Sequence, residues 1–151
     1  MITLRSYLCG EWRSGDPSSN AVLENPSTGD AIAQASTKGL DLKAALAYAR
    51  DVGGPALRKM TFKERGALVK QMSAVLHEAR EALIDVSIEN AGATRGDAKF
   101  DVDGGIGTLA YYARLGETLG DRTFIVEGPG ETLTRSPRFA GYHVRTPRTG
   151  A

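Results

Sequence analysis

The middle third of this 151-residue chain carries helical apolar stripes, yet nowhere does the sequence offer the near-continuous Val/Ile/Leu run of a buried parallel sheet for them to cover. Leu42, Ala45, Leu46, Ala49 and Val52 recur at helical spacing behind Asp41 as N-cap, and Gly53-Gly54-Pro55 reads as the stop, which predicts a helix over 41–52. Thr61-x-x-Glu64 is a capping-box pattern, followed by an apolar stripe of Leu68, Met72, Val75, Leu76, Ala79, Leu83 and Val86 with a break near Glu78. Asn90-Ala-Gly92 closes that segment, and Asp97 or a neighbour opens a further helix running to about Gly116.

Around this block lie short β-prone runs. Residues 1–36 alternate such runs with turns, and Asn25-Pro-Ser-Thr-Gly-Asp30 predicts a hairpin connection, with proline presetting one turn angle and glycine supplying a positive φ. After Gly120 the β pattern returns in Phe124-Ile-Val-Glu127 and Arg138 to Arg145, with Gly128-Pro-Gly130 as a turn. The order of elements predicts an α/β fold class, and the unpartnered stripes predict that the chain is part of a larger α/β domain whose parallel sheet lies outside it.

The third helix is unusual in its composition. Asp101-Val-Asp-Gly-Gly-Ile-Gly-Thr-Leu-Ala-Tyr-Tyr-Ala-Arg-Leu-Gly116 spends Gly104, Gly105 and Gly107 within its first turns, each at about 1 kcal/mol relative to alanine. Close approach by another backbone or by a ligand is the usual compensation. A phosphate-loop reading of these glycines fails because no strand precedes them and the G-x-G-x-x-G spacing is absent.

Charge and cysteine content narrow the function classes. Nineteen basic against eighteen acidic residues leave a net charge of +1, which disfavours a nucleic-acid or anionic-membrane partner. A single cysteine, Cys9, excludes an internal disulfide framework and a paired-cysteine zinc site, and fits a reducing, cytoplasmic setting. The first residues lack the apolar core of a signal peptide, and no run approaches a membrane span.

Individual reactive residues read as structural. Cys9 sits in a hairpin with no recognisable base, and His77 and His143 are too far apart in sequence to form a metal motif. Arg135, Arg138, Arg145 and Arg148 read as a solvated face or an interface rim. The sequence therefore predicts no catalytic, cofactor-binding or metal-binding residue within the chain.

Several blocks resemble the N-terminal segment of the aldehyde dehydrogenase superfamily. Ser6-Tyr-Leu-Cys-Gly-Glu-Trp12 is similar to its opening hairpin, Asn25-Pro-Ser-Thr-Gly-Asp30 to its Asn-Pro-x-Thr-Gly-acidic turn, and Ala110-Tyr-Tyr-Ala113 to a Tyr-Tyr-Ala near the end of its third helix. The run from Pro55 to Arg65, Gly92-Ala-Thr-Arg95 and Asp103-Gly-Gly-Ile-Gly-Thr-Leu109 resemble the PaaZ-like, CoA-linked semialdehyde branch, which acts after aromatic ring opening in phenylacetate or benzoate degradation.

The resemblance implies NAD- or NADP-dependent aldehyde oxidation by a cysteine nucleophile, with an asparagine at the oxyanion and a glutamate activating water, all three beyond this chain. It further implies that 41–116 are helices of the cofactor domain, that strands within 122–149 form an oligomerisation arm in a homo-oligomer, and that a chain truncated at 151 is inactive by itself. Aligning Tyr111-Tyr112 with the family's aromatic pair places Phe100 and Gly104 on the substrate tunnel, where a glycine would widen the entrance for a CoA thioester; the alternative is that the glycines only permit tight helix packing. A rival function is a complete, non-catalytic helical module that binds another protein through the Leu68–Val86 stripe.

Overall fold

The computed structural model describes residues 1–132 and 140–146. The chain opens with five short strands, β1 (Ile2–Thr3), β2 (Ser6–Leu8), β3 (Glu11–Arg13), β4 (Ala21–Glu24) and β5 (Ala31–Ala35). β2 and β3 form a hairpin in register Leu8↔Glu11, so Cys9 and Gly10 are its two loop residues. Both have positive φ, 52° and 87°, the requirement of a type I′ turn. Across this hairpin Tyr7 and Trp12 meet edge to face, with ring centroids 5.3 Å apart.

β4 and β5 are antiparallel, and β1 adds in parallel to β5, giving the sheet order β1-β5-β4. Their connection is the predicted turn. The Asn25 carbonyl accepts from the Gly29 amide at 2.8 Å, its side chain accepts from the Ser27 amide at 2.9 Å, and Gly29 takes φ 78°.

The helical block departs from expectation at its start. α1 (Leu42–Tyr48) does not stop at Gly53-Gly54-Pro55: it widens into one π-type turn, Ala49–Gly53, and continues as α2 (Gly54–Lys59). Both glycines are helical here, and the Gly54 amide bonds to Ala49 five residues back. Pro55 cannot donate a backbone bond to the turn before it, and the helix passes this point as a widened π-type turn with Gly53 and Gly54 in helical conformation, so Gly-Gly-Pro punctuates the helix without ending it.

α3 (Phe62–Glu78) begins with the predicted capping box: Thr61 Oγ1 accepts from the Glu64 amide at 3.2 Å and the Glu64 carboxylate accepts from the Thr61 amide at 2.7 Å. The break falls at Ala79, and α4 (Arg80–Ala91) ends on Gly92 at φ 64°. A side chain on Gly92 would meet Pro26 and Ser27 at 2.9 and 3.0 Å, so this cap also seats the β4–β5 turn against the helices. α5 (Arg95–Leu119) starts earlier than Asp97, with Thr94 as cap and Asp97 in its first turn, and runs past Gly116.

α3 and α5 cross on glycine. A Cβ built on Gly116 lies 2.7 Å from the Phe62 carbonyl oxygen and 3.0 Å from Gly66 Cα, while one on Gly66 lies 2.9 Å from the Ala113 carbonyl oxygen. The two backbones touch directly there. Ser73, itself buried, donates to the Ile106 carbonyl at 3.1 Å two turns along the same seam. The amides of Phe62 and Lys63, left over at the start of α3, donate to the Arg122 and Gly120 carbonyls at 2.8 and 3.0 Å.

β6 (Ile125–Thr132) pairs antiparallel with β7 (Ala140–Arg145). Gly128-Pro-Gly130 is a bulge inside β6 and not a turn between strands: the register shifts between Glu127 and Glu131, and Gly128 and Gly130 have φ 71° and 82°. Gly130 suits its position because φ is 82°, and a Cβ there would also come within 2.6 Å of the Tyr142 ring, which would have to swing aside. Arg145 pairs with Glu127 at 2.6 Å; Arg135, Arg138 and Arg148 lie outside the described residues.

Little of the apolar surface is covered. Among the described residues the buried apolar ones are Ala33, Ile84, Ala98 and Ala113, whereas Leu42, Leu46, Leu68, Met72, Val75 and Val86 are exposed. The accessible surface is 11183 Å², against about 7,400 Å² for a compact monomer of this mass.

Candidate functional site on the outer face of α5

Residues of α5 divide by face. Ala98, Ala113 and Gly116 are buried, and Val102, Ile106, Leu109 and Ala110 are half-buried with them toward α3 and α4. The opposite face presents Gly96, Phe100, Gly104, Gly107 and Tyr111 to solvent, at the i, i+4, i+7 spacing of one helical row. Phe100 is 79% exposed, and Tyr111 and Tyr112, 56% and 57% exposed, meet edge to face with centroids 5.4 Å apart.

The sequence-predicted pair, Phe100 and Gly104, lie one turn apart on this row and share an open depression with Gly96, Lys99 and Asp103. The three glycines sit in the middle of the 25-residue helix, not in its first turns. Among the described residues, no atom beyond the helix's own neighbouring backbone lies within 4 Å of a Cβ built on Gly104, Gly105 or Gly107, so none of them packs against these glycines. Close helix packing falls on Gly66 and Gly116, which the sequence reading passed over because each looks like an ordinary position in an amphipathic helix.

A clamp holds one rim of the depression. Arg80 binds Asp103 bidentately, Nε to Oδ1 at 2.5 Å and Nη2 to Oδ2 at 2.9 Å, and also pairs with Glu81. Arg95 continues the network to Glu81 at 2.5 Å and Asp85 at 3.3 Å, tying α4 to the first half of α5. The Arg80 guanidinium holds the Asp103 carboxyl below its ordinary range, with weaker help from Lys99 and His77. Thr108 donates back to the Gly104 carbonyl at 2.8 Å, the local bond that weakens and bends helices. Arg80 was not singled out from sequence, since its partner lies 23 residues away.

This surface is not a phosphate loop. Gly104-Gly-Ile-Gly107 is continuous helix, so its amides are consumed by intrahelical bonds and cannot cradle a pyrophosphate as a strand-to-helix turn does. Cys9, His77 and His143 are exposed and separate. Among the described residues no three His, Cys, Asp or Glu side chains come together as a metal site, and no helix is long and apolar enough to cross a membrane.

Residues 12–141 match the model of the aldehyde dehydrogenase family. The chain belongs to that family. It is 40% identical over 149 residues to a 3,4-dehydroadipyl-CoA semialdehyde dehydrogenase of Aromatoleum evansii, covering 99% of this chain and 29% of the relative. A D-glyceraldehyde dehydrogenase (NADP(+)) of Picrophilus torridus is 30% identical over 131 residues, 83% of this chain and 25% of the relative.

The fold agrees. An NAD-dependent benzaldehyde dehydrogenase from Corynebacterium glutamicum superposes with a TM-score of 0.70 at 21% identity, covering 85% of this chain and 27% of that one. A betaine aldehyde dehydrogenase from Staphylococcus aureus gives 0.71 at 23% identity over 85% of this chain and 25% of its own. This aldehyde dehydrogenase chain thus spans between a quarter and a third of the length of its relatives, as a mixed α/β part of their fold.

Proposed function

We propose that the chain is the N-terminal part of an NAD- or NADP-dependent aldehyde dehydrogenase of the PaaZ-like branch, whose whole polypeptide oxidises a CoA-linked semialdehyde formed in aerobic phenylacetate or benzoate breakdown in the cytoplasm. The observation that carries this reading is the 40% identity, over almost the whole chain, to a relative named for a CoA-linked semialdehyde, against 30% for the relative named for glyceraldehyde. The open Gly104 position supports it: a tunnel wall without a side chain leaves room for a bulky thioester.

In this reading 41–116 belong to the cofactor domain, and the β6–β7 hairpin is the arm through which homo-oligomers assemble. Exposed apolar faces on α1, α3 and α4 support a missing layer. Residues 1–151 by themselves carry no catalysis. By the family resemblance the cofactor contacts and the reacting groups belong to the remainder of the polypeptide, and the glycine run, being continuous helix, is not offered as a dinucleotide site. The exposed Leu68, Met72, Val75 and Val86 also leave room for the rival helical binding module, which the same experiment separates.

The test is cofactor reduction by the gene's full product with a CoA-linked semialdehyde, followed through the reduced nicotinamide. Turnover with the CoA-linked substrate supports the reading, and Gly104→Met then lowers kcat/KM for it by about tenfold or more. Unchanged kinetics in Gly104→Met removes the tunnel role, and a product that turns over no aldehyde removes the enzyme reading in favour of the module.

A further inference from the structure

We infer that Arg80 is a positioning residue of the enzyme: by gripping Asp103 it holds the turn at Gly104-Gly105 in place and so fixes the helix wall on which substrate entry depends. The inference rests on the tunnel reading of Gly104 above and adds to it the device that keeps that wall in position. Two adjacent glycines leave the helix more backbone freedom than other residues would. The Thr108 hydroxyl, donating to the Gly104 carbonyl at 2.8 Å, also draws on the acceptor that the helix itself uses at this turn. This makes Gly104-Gly105 a soft point within α5.

The soft point is staked on both sides, from two different helices. Immediately before it, Asp103 is held by Arg80, the first residue of α4, through Nε at 2.5 Å and Nη2 at 2.9 Å. Immediately after it, the Ile106 carbonyl accepts from the buried Ser73 of α3 at 3.1 Å. Two parallel bonds from a planar guanidinium fix the orientation of their partner as well as its distance, so Arg80 restrains rotation of the helix at this turn where a single bond would restrain only its separation. Arg95 also ties α5 to α4, through Glu81 and Asp85, but from the first residue of α5, more than two turns before the glycines. Both arginines join the same two helices, and Arg80 alone of the pair acts at the glycine turn.

Steady-state kinetics of the gene's full product with a CoA-linked semialdehyde, measured well below its Tm, test the role. Arg80→Met lowers kcat/KM about threefold or more, as misplacement of a supporting wall does, while Arg95→Met, which removes ion pairs between the same helices, leaves it within about twofold of the wild type. Gly105→Ala, which stiffens the turn without touching the clamp, returns kcat/KM of Arg80→Met toward the wild-type value. Equal losses in Arg80→Met and Arg95→Met, or no recovery with Gly105→Ala, make the clamp a stability element and overturn the assignment. If Gly104→Met lowers kcat/KM and Arg80→Met does not, the positioning role falls and the tunnel reading stands. If Gly104→Met has no effect, the tunnel reading falls and this role with it.

Discussion

Alanine at two glycines of the same helix changes stability in opposite directions. At Gly105 a Cβ meets nothing within 4 Å, so Gly105→Ala adds only helix propensity, up to about 1 kcal/mol of stabilisation. At Gly116 the same methyl would sit 2.7 Å from the Phe62 carbonyl oxygen and 3.0 Å from Gly66 Cα, both backbone atoms that cannot rotate away. Reaching an ordinary 3.4 Å separation requires α3 and α5 to part by about 0.7 Å, and a gap of that size forfeits a quarter to a half of the attraction between facing atoms. Separation also strains the 3.1 Å Ser73–Ile106 bond and the 2.8 Å Phe62–Arg122 bond. Overpacking of this kind costs about 1–3 kcal/mol, which outweighs the propensity gain and leaves Gly116→Ala destabilising by up to about 2 kcal/mol. For a chain of this size 1 kcal/mol corresponds to about 2–4 °C, so thermal unfolding followed by circular dichroism should show Tm rising for Gly105→Ala and falling for Gly116→Ala. Shifts of the same sign in both variants would refute the glycine crossing.

Acid should destabilise the helical block. Glu64 is held below its ordinary 4.5 by the Thr61 amide and then the Thr61 hydroxyl, and Asp103 below 3.8, chiefly by Arg80. A depressed folded pKa means stability that is present above the unfolded value and lost as pH falls through the folded one, so Tm should hold from neutrality to about pH 5 and decline below it; a Tm that rises on acidification would contradict this. The uncovered stripe on α3 and α4 should make residues 1–151 bind a hydrophobicity-sensing dye and self-associate. A monomer in light scattering that leaves the dye dark would mean those faces are closed within the chain.

Much of the fold was legible locally. The Thr61/Glu64 capping box, the Gly92 cap and the Asn25–Asp30 turn depend on side chains bonding backbone within a few residues, and each formed where the pattern placed it. Punctuation by Gly and Pro misled twice, at Gly53-Gly54-Pro55 and at Gly128-Pro-Gly130, because the same residues that end an element also permit a π-type turn or a bulge within one. Partners distant in sequence were not legible. Gly66 meets Gly116 across 50 residues, and Arg80 meets Asp103 across 23, and no single-sequence periodicity marks either pair. Phe100 and Gly104 were singled out only through resemblance, since an exposed phenylalanine on a helix has no distinguishing spacing.

The start of α3 borrows its last two hydrogen-bond acceptors, the Arg122 and Gly120 carbonyls, from the far end of α5. A ribosome making this chain releases Phe62 some 60 residues before those acceptors emerge, so the entry of α3 stays open to water until α5 is complete and turned back upon it. A nascent chain that has not yet reached residue 122 therefore presents α3 with its first turn still open to water, and the α3–α5 pair closes only once α5 has been made.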